Sequence, residues 1–132
     1  MEYMWFDLYD ISLYTQEANF NKDQVFALEI TYLREFKGEK IAERSIYEIQ
    51  KRGFNNSEKL NTWSEKMKKI FPDVKKGDSL VGIKDEQDGA QFFLNGLELG
   101  RVENPEFSKQ FFDIWLGSNS RYPEYTKQLK GL

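Results

Sequence analysis

Apolar and polar positions along the early chain follow the period of two that a pleated strand imposes. Tyr3 through Thr15 read as one strand, with Met4, Phe6 and Leu8 on one face and Trp5, Tyr9, Ile11 and Leu13 on the other. A strand apolar on both faces belongs in the middle of a sheet, or under cover on both sides. Gln16 to Asp23 is polar and marks a connection. Val25 to Phe36 then form a second strand, in which Phe26, Leu28, Ile30 and Tyr32 share a face while Glu29 and Thr31 take the opposite one.

Beyond Gly38 the period lengthens to that of a helix. Ile41, Ala42, Ser45, Ile46 and Ile49 trace a stripe over Glu39 to Arg52, and Gly53 stands where a glycine ends a helix. A second helix starts at Asn55, Asn56 or Ser57, all good N-caps. Its apolar residues are Leu60, Trp63, Met67, Ile70 and Phe71, and Pro72 stops it. Three short strands follow, Ser79 to Lys84, Ala90 to Leu94 and Leu97 to Val102, with Asp88-Gly89 and Asn95-Gly96 between them as two-residue hairpin turns. Asn104-Pro105-Glu106 opens a third helix carrying Phe107, Phe111, Ile114 and Trp115, which Gly117 ends. A short fourth helix covers Glu124 to Lys130. Strand runs separated by helical pairs predict an α+β fold, an antiparallel sheet with helices packed on one face.

Length and composition fit that picture. A chain of 132 residues is the size of one domain and buries roughly two-thirds of its unfolded surface. Aromatic residues make up 16% (11 Phe, 7 Tyr, 3 Trp), enough to wall a rigid apolar pocket as well as fill a core. No apolar run is long enough to span a membrane. No signal peptide stands at the start. Strand-like sequence begins so close to Met1 that a preceding segment is expected to have been removed.

Charge and missing residue types narrow the chemistry. The chain carries 19 basic and 22 acidic residues, net −3, and interleaved acids dilute even the cluster of Lys66, Lys68, Lys69, Lys75 and Lys76. Nucleic acid is therefore not expected as a partner, since phosphate binding needs a concentrated basic face. Cysteine and histidine are both absent, which excludes disulfides, thiolate nucleophiles, His-based triads and the usual zinc and iron sites. No cofactor is implied. Carboxylate, Lys, Tyr or Arg chemistry remains open, as does a hard cation on Asp and Glu.

The run from Phe26 to Arg34, then Gly38 and Ala42-Glu43-Arg44-Ser45-Ile46, resembles the bacterial chalcone isomerase-like domain. Phe71-Pro72-Asp73-Val74 through Asp78, Gly96 through Gly100, Asn104 to Phe107 and Ile114 to Gly117 carry the likeness further, and Leu8 to Tyr14 resembles the family's early strand. The resemblance covers nearly the whole chain. It implies the chalcone isomerase fold, an open-faced β-sandwich with a ligand cleft between layers. Plant isomerases of this superfamily place an Arg, a Thr, a Tyr, an Asn and a second Thr or Ser around the ligand. Matched by motif, the early Thr falls at Tyr9, the Tyr and Asn at Ile41 and Glu48, and the later hydroxyl near Ile114; the Arg belongs to a strand upstream of Met1. None of the five is kept. Ring closure of a chalcone needs donors aimed at a developing oxyanion, which Ile41 and Ile114 cannot supply.

A second branch resembles fatty-acid-binding proteins, in which an Arg and a Tyr hold a carboxylate. Tyr9 suits the Tyr role, and Arg34 or Arg44 would have to serve as the Arg. The family's bacterial members commonly look exported, so the resemblance allows a periplasmic setting as well as a cytoplasmic one.

The candidate ligand residues are thus Tyr9, Tyr32, Arg34, Arg44, Ser45 and Trp115, with no catalytic or metal residue among them. Most have a plainer account. Tyr9, Tyr32 and Trp115 serve equally as core. Arg44 with Glu48 makes an i, i+4 surface ion pair. Asp10, mid-strand among apolar neighbours, needs a partner, most simply Arg34 or Arg44. Three functions stand at this point. One is a non-enzymatic domain binding a small apolar or amphipathic molecule such as a fatty acid. The second is an enzyme of the same fold using Asp10, Arg44 and Tyr32. The third is a ligand-free domain for protein association.

Overall fold

A computed structural model describes residues 8–16, 21 and 23–117. Five strands form one sheet: β1 (Tyr9–Thr15), β2 (Phe26–Tyr32), β3 (Ser79–Lys84), β4 (Ala90–Leu94) and β5 (Leu97–Val102). They lie in chain order, and every neighbouring pair is antiparallel. Two helices, α1 (Gly38–Lys51) and α2 (Ser57–Ile70), come between β2 and β3, and α3 (Pro105–Leu116) follows β5. α1 packs against both α2 and α3. The expected class is the one found.

Alternation decides which face is covered. Phe26, Leu28, Ile30 and Tyr32 are buried, while Ala27, Glu29 and Thr31 between them are only half-buried. The buried set joins Leu80, Phe92 and Val102 from the other strands and Ile49, Trp63 and Phe107 from the helices in one core. All three helices therefore cover the same face. Burying such a layer is the main favourable term in folding, at roughly 25 cal/mol per Å² of apolar surface.

The first strand departs from expectation. Among the described residues β1 is an edge strand, not a central one, and Asp10, Ser12 and Tyr14 on its outward face are exposed. From Tyr9 onward its alternation is one-sided, with Ile11 buried and Tyr9 and Leu13 packed against the core. The apolar residues that suggested cover on both faces, Met4, Trp5 and Phe6, lie outside the described residues, as does the helix expected over Glu124 to Lys130. β2 is also shorter than its apolar run, because Phe36 leaves the sheet to bridge Val74.

Local signals set the helix ends. The Asn56 side chain accepts from the Lys59 N–H at 3.1 Å, and the Asn104 side chain accepts from the Phe107 N–H at 3.0 Å. Both satisfy donors that a first turn leaves open. At the start of α1 the Gly38 N–H donates to Asp73 Oδ1 at 2.8 Å. A Cβ there would lie 2.0 Å from the Phe71 carbonyl oxygen, so only glycine lets α1 begin against the exit of α2.

Of the two hairpin turns expected, one is as read. Asn95 and Gly96 both have positive φ, +50° and +88°, as a tight primed turn requires. Asp88-Gly89 instead closes a longer loop running from Asp85 to Gly89. The Asp88 N–H donates to the Asp85 carbonyl, and the Asp85 carboxylate accepts from the N–H groups of Gln87 and Gly89. That carboxylate reorganises the turn, and Arg101 holds it with two bonds of 2.6 and 3.1 Å.

The Arg101 bonds, ahead of the two N–H groups, hold the Asp85 carboxyl below the usual carboxylate range. Asp73 and Asp78 are also lowered, chiefly by the Gly38 and Lys75 N–H groups respectively. A depressed folded-state value contributes stability that is fully present above the unfolded value of about 4 and is lost as pH falls through the folded one. Urea midpoints are therefore expected to drop below about pH 4, and Asp85→Asn to flatten the drop. An unchanged acid slope in that variant would remove Asp85 from the account.

Candidate functional site

A cavity of about 100 Å³ opens between the sheet and the helices α1 and α3. Tyr9, Ile30, Tyr32 and Leu80 form its sheet side. From α1 come Ile41, Arg44, Ser45 and Glu48, whose spacing of three and four puts them on one helical stripe. Phe111, Ile114 and Trp115 close it from α3. Most of this wall is apolar.

Five of the six candidate ligand residues line this space: Tyr9, Tyr32, Arg44, Ser45 and Trp115. Arg34 does not; it is exposed, in the turn after β2. The aromatic three belong to core and cavity together. Tyr9 meets Tyr32 and Trp115 edge-on, with ring centres 6.0 and 6.5 Å apart, and Trp115 Nε1 donates to Tyr9 Oη at 3.1 Å. Ser45 spends its hydroxyl on the helix, donating to the Ile41 carbonyl at 2.8 Å.

Tyr32 differs from its neighbours. Its side chain is buried, yet its hydroxyl has no hydrogen-bond partner among the described residues. Burial, with a smaller contribution from Tyr9, pushes its pKa far above the ordinary tyrosine value. At any physiological pH it is a neutral donor.

The charged part of the wall is a helical ladder. Glu48 Oε2 lies 2.8 Å from Arg44 Nη2, and Glu48 Oε1 lies 2.7 Å from Arg52 Nη1. The expectation of a surface pair fails for Glu48, whose side chain is only 7% exposed, as is that of Arg52, whereas Arg44 is 57% exposed at the cavity mouth. Residues 44, 48 and 52 recur at intervals of four, so the ladder was readable; its burial was not. Lys40, also at the mouth, pairs with Glu43 at 3.3 Å.

Asp10 needs correction as well. It pairs in the sheet with Thr31, lies exposed on the uncovered face, and makes no ion pair with Arg34 or Arg44 among the described residues. An edge position lets water solvate the carboxylate, so no partner is required. Among the described residues, no group of three or more carboxylates could hold a metal, and no helix is long and apolar enough to cross a membrane.

An open-faced antiparallel sheet under three helices, with a mostly apolar cavity between the layers, is the architecture of a chalcone isomerase-like protein. A model of the chalcone isomerase-like family matches residues 2–130, and the chain belongs to that family. Among solved structures it is similar to a fatty-acid binding protein of Arabidopsis thaliana, with a TM-score of 0.69 and 12% identity, over 92% of this chain and 76% of that one. No curated protein sequence matches the chain.

Proposed function

We propose that this protein is a single-domain, non-enzymatic member of its family that binds a small apolar or amphipathic molecule in the cavity between sheet and helices. One observation carries the reading. The four positions to which the isomerase site maps by motif, Tyr9, Ile41, Glu48 and Ile114, all line the same cavity. The pocket has kept its place while aliphatic side chains stand at two of the positions where donors would be needed. The fatty-acid binding relative in structure supports an apolar guest. Aromatic walls with few polar groups are the usual make-up of small-molecule sites.

An enzyme working through Asp10, Arg44 and Tyr32 has less support, because Asp10 is exposed on the opposite face of the sheet and does not line the cavity. Native mass spectrometry of protein purified from cells, followed by organic extraction, tests binding directly. A co-purifying small molecule is expected, together with a raised melting temperature in saturating palmitate or 1-hexadecanol. If nothing co-purifies and neither compound moves the melting temperature, the binding reading fails.

A further inference from the structure

Both cations that line the cavity already have a carboxylate from this chain. Arg44 is held by Glu48 at 2.8 Å and Lys40 by Glu43 at 3.3 Å. Glu48 is itself a wall residue and 5% exposed. A guest carboxylate reaching Arg44 would have to share one guanidinium with Glu48. Two like charges would then meet beside a mostly apolar wall, where their repulsion is poorly screened. A neutral acceptor meets no such obstacle.

The cavity does offer one donor without a protein partner among the described residues, the Tyr32 hydroxyl. It stands on a buried ring, braced by Tyr9 at 6.0 Å and Phe36 at 5.5 Å between ring centres. Size restricts the guest further. A volume of about 100 Å³ is close to that of an engineered cavity of about 150 Å³ that takes up benzene, so roughly one ring fits inside.

We propose that the cavity selects a neutral, ring-sized group whose carbonyl or hydroxyl oxygen accepts a hydrogen bond from Tyr32, and that Glu48 acts against carboxylates. This rests on the binding reading and specifies its ligand. It departs from a fatty-acid anion: the phenol donates to an oxygen of either kind, and the discrimination comes from Glu48, which already pairs Arg44. A longer molecule would place its ring or carbonyl end inside and the remainder past Arg44 and Lys40.

Benzamide and benzoate have nearly the same shape and differ in charge, so titrating each at pH 7 by calorimetry or ligand-observed NMR separates the two chemistries. Benzamide is expected to bind about tenfold tighter, because only the carboxylate of benzoate meets the Glu48 charge in the wall. Tyr32→Phe should lower benzamide affinity about tenfold. That variant removes only a hydroxyl with no partner among the described residues, so the fold is expected to survive. Glu48→Gln should bring benzoate up towards benzamide. Benzoate binding as tightly as benzamide to the unmodified protein would overturn the proposal, as would an unaltered benzamide affinity in Tyr32→Phe. If neither ring compound binds while palmitate still raises the melting temperature, this selectivity falls and the binding reading stands. If palmitate and 1-hexadecanol also fail, and nothing co-purifies, both fall together.

Discussion

Glu48→Ala is expected to lower the unfolding free energy by about 3–5 kcal/mol, the usual cost of removing one partner from a buried ion pair. The loss comes mainly from Arg52. Its side chain is 7% exposed, and Glu48 Oε1 lies 2.7 Å from Arg52 Nη1, an i, i+4 charge pair formed along the helix. Arg52 Nη1 also donates to the Glu48 carbonyl at 2.9 Å, a bond that survives the substitution but carries no formal charge. Arg44 contributes little to the loss, because at 57% exposure water can replace the carboxylate. Urea unfolding with an unchanged slope would measure the effect. The paired variant Glu48→Met with Arg52→Met separates charge from packing. It is expected to recover most of the loss, since apolar residues of similar volume replace buried ion pairs at little cost. A Glu48→Ala loss under about 1 kcal/mol would mean that Arg52 does not depend on this carboxylate.

Phe111→Ala is expected to cost about 3–5 kcal/mol as well, by a different mechanism. Phe111 is 3% exposed, and its ring centre lies 5.3 Å from those of Phe92, Phe112 and Trp115. It also stacks on Phe107 at 5.5 Å, along the same helix. Removing the ring forfeits its transfer free energy and leaves a void that this interlocked cluster cannot collapse to fill. Because Phe111 also lines the cavity, the void joins it and widens the pocket. Chemical unfolding gives the stability change, and Leu97→Ala is the control, a residue 74% exposed whose loss should fall within about 0.5 kcal/mol. A Phe111→Ala cost no larger than that control would mean that the helix layer repacks freely.

The two predictions meet at the same wall. Glu48 and Phe111 belong to different helices, and each supports the fold while shaping the space a guest would enter. Mutations that probe binding should therefore be read with stability measured alongside. Tyr32→Phe is the cleanest probe because its hydroxyl has no bond to lose among the described residues.

Much of the fold was legible in neighbouring residues. The alternation of Phe26, Leu28, Ile30 and Tyr32 named the covered face of β2, and the stripes of α1, α2 and α3 named their inward sides. Asn56, Asn104 and the Asn95-Gly96 turn stand where their chemistry puts them. Such features depend on residues two to four positions apart, which a linear reading contains. The lack of histidine and cysteine likewise closed whole classes of chemistry without any coordinates.

Other features depended on contacts remote in the chain. The Asp88-Gly89 pair misled because a carboxylate at Asp85, tied to Arg101 from another strand, set the turn. Asp10 and Arg34 looked like site residues beside Tyr9 and Tyr32, yet strand pairing turned Asp10 outwards and the bend after Tyr32 carried Arg34 away from the cavity. Glu48 and Tyr32 acquired their character only when α1 was laid across the sheet.

Local order along the chain by itself determined the three helices, the caps of α2 and α3, the strands β3 to β5 and the covered face of β2, since period and capping act over a single turn or pleat. Tertiary structure alone decided the edge place of β1, the burial of Glu48 with Arg52, and the cavity that unites Tyr9 with Trp115, residues 106 positions apart. Solvent access and shape are properties of packed layers, and no neighbouring pair of residues carries them.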